Sequence, residues 1–328
     1  MMDINDRQEL CFPHLLNSSC RKPTLFWTEA VLLNIVLSLI SLITAVLNLL
    51  IIISVFHFRQ LHTPTNVLIL SLAVSDFLVG LLLMPLEIYK KFTCWGNIMC
   101  SFYGYLIAHI VSASVGNIIL ISVDRYVAIC QPLHYHTRIT MARVKCCVCL
   151  CWICAGFYRI FYLKNELVEP GRSNSCIGEC TFVIDVIAGT VDLILNFIFP
   201  VTVIVVLYMR IFMVAVSQAR AMRSHITAVT LKLSVNLDAK KSELKAARTL
   251  GILVIVYLLC FCPFYCYSLV EVNVTSTSYA SFLFFLFYFN SCLNPVIYAV
   301  FYPWFRKSIK LIVTRQILQP GSCESNIL

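Results

Sequence analysis

The chain has 328 residues, of which 60% are hydrophobic and only 12% are charged, with a formal net charge of +9. A soluble domain carries roughly 25% charged residues, so the surface must meet a solvent that rejects charge, and lipid is that solvent. Nucleic acid is a poor partner for this chain, because its basic residues are scattered over short segments between apolar runs instead of forming one patch.

Residues 1–22 are mixed and charged and do not read as a signal peptide, so the first apolar run is expected to act as the insertion signal. A spanning helix needs about 20 mostly apolar residues. Seven such runs follow at roughly 31–56, 66–89, 99–129, 144–163, 184–214, 247–270 and 279–301. The expected fold is all-α, a seven-transmembrane helix bundle with a short amphipathic helix after the seventh span. Its parts are an outer N-terminal segment (1–30), the bundle (31–302) and an inner helix with tail (303–328). The short links leave no room for a soluble domain, and the longest, about 215–246, is polar and lysine-rich. The lack of repeated halves argues against a transporter.

Lysine and arginine set the orientation. With the N-terminus outside, the inner links and tail hold 16 of them and the outer segments 7. The Asn-x-Ser/Thr sequons at Asn17 and Asn273 then face the glycosylating side. In Tyr302 to Arg315, Trp304, Phe305, Ile309 and Ile312 are expected to face lipid while Arg306, Lys307 and Lys310 stay wet. Many of the 17 cysteines lie inside apolar runs, where a thiol behaves as a small apolar side chain. Cys323, in the tail, reads equally as acylated or free.

Ionisable groups inside spans are expensive, about 2.5–3.5 kcal/mol at a helix centre, so each needs a reason. Asp76 lies inside the second run, Asp124-Arg125-Tyr126 ends the third, and Asp192 lies in the fifth. Asn48, Asn290 and Asn294 are polar residues in otherwise apolar runs. Asp192 precedes Pro200 by eight residues, about 12 Å toward the outside at 1.5 Å per residue. It reads either as a ligand anchor or as an acid near a helix end, solvated or paired with a loop cation such as Lys164 or Arg172. Glu87, Glu179, Asp185 and Glu271 near outer helix ends read as solvated acids or as partners for a second ligand charge.

These residues also carry a resemblance. Asn48, Asp76, Asp124-Arg125-Tyr126, Trp152, Pro200, Phe261-Cys262-Pro263 and Asn294-Pro295-Val296-Ile297-Tyr298, in that order and in successive runs, resemble the rhodopsin-like G-protein-coupled receptor pattern across nearly the whole chain. The stretch from Asn290 to Lys307, with Cys176-Ile-Gly-Glu-Cys180, looks like the trace amine-associated receptors.

The resemblance implies a plasma-membrane chemosensory receptor with an extracellular N-terminus, acting on a heterotrimeric G protein of the cyclic-AMP-raising Gs/Golf type. No nucleophile–base or metal-ligand spacing appears, so no enzyme activity is expected; the resemblance implies no cofactor beyond an allosteric sodium ion, held by Asp76, Ser114, Asn290 and Ser291, with a polar knot without an ion as the alternative. It implies a switch in which Arg125 leaves Asp124 for the G protein, with Tyr126 beside it and Tyr208 and Tyr298 as partners for the released arginine. The usual ammonium anchor falls on Ile107, so the common amine pose is lost. Members with the acid on the fifth helix instead imply a primary amine or diamine at Asp192, with Phe264, Tyr265 and Tyr288 at pocket positions and Phe261 where tryptophan is usual. A disulfide between Cys100 and Cys180 is implied, with Cys176 paired to Cys11 or Cys20. The seventh run has no lysine for a Schiff base, against a light sensor. A receptor for a non-amine odorant and, from another class, a channel or transporter remain as rival readings.

Overall fold

The computed structural model describes residues 10–12, 14, 19–21, 27–90, 92–168, 176, 178, 180, 186–226, 251, 252, 254–267, 278–324 and 327. Among them there is no strand, only two isolated β-bridges. Seven helical runs form the bundle. They are α1 (Trp27–His57), α2 (Pro64–Lys90), α3 (Asn97–Cys130), α4 (Met141–Val168), α5 (Val186–Leu193, continuing through Ile194–Ile198 into Phe199–Ile226), α6 (Val254–Tyr267) and α7 (Ser278–Phe301). A short α8 (Pro303–Val313) follows. The fifth helix therefore runs past its apolar stretch into the basic link. Asn17, Asn273, Arg172, Glu179, Asp185 and Glu271 lie outside the described residues, as does most of the 215–246 link.

The bundle is apolar outside and polar at its centre. On α1, Leu32, Ile35, Leu39, Leu42 and Ile43 are exposed, whereas Leu37, Ser41, Thr44, Asn48, Ile51 and Val55 are buried at three- and four-residue spacing. Lipid can leave such apolar faces exposed; water would not.

Prolines shape the interior. In α2 and α5 the residue before the proline reaches five residues back in a π-helical turn: Met84 N–H bonds the Val79 carbonyl, and Phe199 N–H the Ile194 carbonyl. A proline also deprives the carbonyl four residues earlier of its donor. For Pro200 that carbonyl is Asn196, and the Tyr257 hydroxyl on α6 donates to it at 3.3 Å. For Pro295 it is Ser291, and the Asn48 amide on α1 donates to it at 3.1 Å. Each freed carbonyl becomes a tie between two helices. Trp152 Nε1 donates to Ser71 Oγ at 3.0 Å, tying α4 to α2.

At the outer end, where the N-terminal segment lies, three disulfides join Cys11 to Cys94, Cys20 to Cys176 and Cys100 to Cys180. Cys20, not Cys11, is therefore the partner of Cys176. Cys11 takes Cys94, a pairing the sequence reading did not include. Gly178 has φ +118°, and a Cβ there would lie 2.7 Å from the Cys11 Cβ, so this crossing of chains has room only for glycine.

At the inner end, Trp304 and Phe305 are buried against the bundle, not turned to lipid as expected. The reason is that α8 packs under the inner ends of α1 and α7, which cover that face; Ile309 and Ile312 are half-buried, and Arg306, Lys307 and Lys310 are exposed. The tail then folds back along α1. Ser322 meets His57 at 3.0 Å, Arg59 pairs with Glu324 at 3.1 Å, and Ile327 is buried.

Gly80 marks the closest approach of α1 and α2. Its carbonyl accepts the Ser41 hydroxyl at 2.7 Å, and a Cβ on it would lie 2.7 Å from the backbone nitrogen of Ala45. Gly80→Ala is expected to destabilise the bundle by about 1–3 kcal/mol, the usual cost of overpacking, seen as a lower unfolding temperature of purified receptor. An unchanged temperature would show that the two helices separate freely.

Candidate functional site

In the outer half, Asp192 stands on the inward side of α5. It shares that side with Leu193 and Phe197, which pack on the core, and with buried Asn196 and Pro200, whereas Val191, Ile194, Leu195 and Ile198 are exposed. The Asn196 amide, one helical turn on, donates to Asp192 Oδ1 at 2.9 Å. The Asn196 carbonyl in turn accepts from Tyr257. From Tyr257 the contacts run through aromatic rings, to Phe261 at 4.4 Å and from it to Phe287 at 4.3 Å. Phe264 packs on Phe287, Phe284 and Tyr265, and Tyr265 stacks on Phe197 at 4.6 Å. Thus Asp192, Phe261, Phe264 and Tyr265 fall within one contiguous set on α5, α6 and α7. Ile107 is half-buried against the core.

Tyr288 belongs to a different cluster. Its hydroxyl lies 3.4 Å from that of Tyr103, which donates to Glu87 Oε2 at 2.5 Å. Lys90 pairs with the same oxygen at 3.2 Å and lies 5.5 Å from the Tyr103 ring centre. Glu87, one of the four acids that the sequence offered for a second ligand charge, thus has a cation and a phenol on it.

At the centre, Asp76 is fully buried and its Oδ2 accepts from the Asn294 amide at 2.6 Å. Its Oδ1 receives no hydrogen bond from the protein, and neither do the buried Oδ1 atoms of Asn48, Asn290 and Asn294. Ser114 donates to Ser75 at 2.8 Å, and Ser291 is buried. An excess of hard oxygen acceptors over donors around one carboxylate fits a small cation or water.

At the inner end, buried Asp124 holds three donors. Arg125 donates to Asp124 Oδ2 through Nε at 2.9 Å and again through Nη2. Thr65 donates to the same oxygen at 3.0 Å, and Tyr135 donates to Oδ1 at 3.0 Å. Arg125 Nη2 also reaches Thr65 Oγ1 at 2.6 Å. Burial, reinforced by the charge on Asp124, pushes the Tyr135 phenol above its ordinary value, so it stays a proton donor at neutral pH. Tyr126 and Tyr208 are half-buried outside this network. Tyr298 is buried with its hydroxyl lacking a hydrogen-bond partner, its ring 5.8 Å from that of Tyr302.

Sequence reasoning missed Asn196, Tyr257, Thr65, Tyr135 and Cys94. Asn196 was within reach, four residues from Asp192 on a helix. So was Cys94: the outer segments hold Cys11, Cys20, Cys94, Cys100, Cys176 and Cys180, an even set that predicts three bridges in an oxidising compartment. Thr65 and Tyr135 come from other elements and carry no local signal.

A bundle of seven apolar helices with a buried carboxylate at its centre and an arginine–aspartate pair at its inner end is the architecture of a rhodopsin-like membrane receptor. Residues 47–298 match the family described as 7 transmembrane receptor (rhodopsin family). The chain is 39% identical to Trace amine-associated receptor 13c of Danio rerio, over 98% of this chain and 97% of that protein. It is 37% identical to Trace amine-associated receptor 1 of Mus musculus (89% and 91% covered) and 35% identical to Trace amine-associated receptor 6 of Pan troglodytes (97% and 95% covered). The chain belongs to the trace amine-associated receptor family of rhodopsin-like G-protein-coupled receptors. It is a multi-pass membrane receptor with a ligand and a heterotrimeric G protein as partners, and not an enzyme.

Tyr135→Phe removes one donor from Asp124. The acceptor is a carboxylate, and a hydrogen bond to a charged group is worth about 1.5–3 kcal/mol, so agonist-independent nucleotide exchange on the G protein is expected to rise by roughly tenfold to a hundredfold in membranes carrying this variant. Exchange equal to wild type would mean that the contact does not bias the resting arrangement.

Proposed function

We propose that this receptor is a plasma-membrane chemosensor, extracellular at its N-terminus, for a primary amine whose ammonium is anchored by Asp192, and that it signals through a cyclic-AMP-raising Gs/Golf-type G protein. The observation that carries this reading is the place of Asp192. It is an ionisable group on the inward side of a membrane helix, at the depth of the aromatic set on α6 and α7. Such a group is a functional site by default in a membrane. The Asn196 amide donates to its carboxylate, and an ammonium would meet that carboxylate in a charge-assisted hydrogen bond. The rings of Phe264 and Tyr265 offer cation–π attraction nearby, and the relatives are named for trace amines.

Glu87, with Lys90 and Tyr103 on it, favours an amine of one charge over a diamine. Tyr288 then serves to position Tyr103. The path from Asp192 through Asn196 and Tyr257 to Phe261 gives a ligand a physical connection to α6. Binding would shift a two-state bundle toward a form in which Arg125 exchanges Asp124 and Thr65 for the G protein, with Tyr126 flanking it and Tyr208 and Tyr298 taking up the arginine. In the resting form a sodium ion would be held by Asp76 with Ser114, Asn290 and Ser291. Its charge would compensate the buried carboxylate.

One observation favours a second reading. Ile107 is apolar where the usual anchor stands, which suits an odorant without an ammonium.

Asp192→Ala is expected to raise the half-maximal concentration of an activating monoamine by about tenfold to hundredfold, the worth of a charge-assisted hydrogen bond of about 1.5–3 kcal/mol. Surface expression should stay intact, and diamines should act no better than monoamines on wild type. Unchanged potency in a cyclic-AMP assay would reject the anchor and leave the non-amine reading standing. Asp76→Asn is expected to abolish any difference in agonist affinity between sodium and a bulky organic cation; a difference that persists would remove the ion from this site.

A further inference from the structure

α4 begins at Met141, just inside the inner end of the bundle. Its start is held by Arg143, whose guanidinium donates to the carbonyls of Thr137 at 2.9 Å and Arg138 at 3.1 Å. Arg143 and Lys145 are exposed cations, and their charged heads must stay at headgroup level, because hydrocarbon excludes them. Cys146 and Cys147 follow directly. At a rise of about 1.5 Å per residue they lie roughly 5–6 Å beyond Arg143, at the boundary between headgroups and hydrocarbon. Both thiols are exposed and neither is in a disulfide.

Cys146 also heads a lipid-facing stripe. Leu150, Ile153 and Phe157 follow it at four, seven and eleven residues, and they are 53%, 51% and 68% exposed. A long acyl chain attached at Cys146 or Cys147 would start at the membrane surface and lie along this stripe. The other free thiols are placed differently. Cys149 and Cys154 are deeper in the apolar part of α4, and Cys266 is at the outer part of α6. Cys130 and Cys323 are half-buried, Cys323 in the tail segment that Ser322 and Glu324 bind back to His57 and Arg59.

We infer that Cys146 and Cys147 form an S-acylation site at the membrane surface. The donor is a long-chain acyl-coenzyme A thioester. The cysteine sulfur attacks the thioester carbonyl, a new carbon–sulfur bond forms, and the bond to coenzyme A breaks. The coenzyme A thiol leaves with the proton that the cysteine gave up, and no oxidant or reductant is needed. The assignment does not depend on which ligand the receptor binds.

The test uses the full-length receptor in cells fed an alkyne-bearing palmitate. Hydroxylamine-labile label is measured on wild type, on Cys146→Ser/Cys147→Ser and on Cys323→Ser, each normalised to receptor at the cell surface. The double variant is expected to lose most of the label and Cys323→Ser to keep most of it. Mass spectrometry of wild type, which needs no variant to fold, should place the acyl group on the peptide that holds Cys146 and Cys147. A wild type without label, a double variant labelled like wild type, or an acyl group found only on the Cys323 peptide would overturn the assignment.

Discussion

A proline inside a membrane helix leaves a carbonyl without a donor, and lipid supplies none. The arrangement of this bundle follows largely from how that need is met. Pro295 frees the Ser291 carbonyl, and Asn48 reaches it from α1. Pro200 frees the Asn196 carbonyl, and Tyr257 reaches it from α6. In a soluble protein water would serve both positions. Here the donors must be side chains on neighbouring helices, so each proline fixes a pair of helices against one another. The second tie lies one helical turn from Asp192, which links the bundle's construction to the proposed site of ligand contact.

The same scarcity of partners governs the charges. Asp124 is buried among three donors, and Glu87 has a lysine and a phenol on it. Asp76 sits among amide oxygens with too few donors to match them. These three acids define three kinds of site along the bundle: one closed by protein groups at the inner end, one closed at the outer end, and one whose oxygens suit a cation at the centre. Asp192 stands apart from these three, an acid on the inward side of α5 that accepts from the Asn196 amide one turn on.

The outer end is held together by covalent bonds. Three disulfides draw the N-terminal segment, the link before α3 and the link before α5 together, and Gly178 lets two of these segments cross at backbone contact distance. At the inner end the tail does a related task without a disulfide, Ser322 meeting His57 at the end of α1, and Glu324 and Ile327 meeting Arg59 and Gln60 just beyond it.

Composition and the lengths of the apolar runs were enough to read a helical membrane bundle, because a chain in lipid has few other ways to satisfy its backbone. The order of Asn48, Asp76, Asp124-Arg125, Pro200, Pro263 and Asn294-Pro295 was enough to read the family. Local spacing along one helix also put Asn196 within reach of Asp192. What stayed illegible were the partners brought from other elements. Thr65 and Tyr135 close on Asp124 from α2 and from the link after α3, and Lys90 rather than a ligand sits on Glu87. Trp304 and Phe305 carry an amphipathic signature that reads as lipid-facing; the packing of α8 beneath α1 and α7 buries them against protein instead. Periodicity reports which side of a helix is apolar, but what covers that side depends on how the helices meet, and no single stretch of chain encodes that.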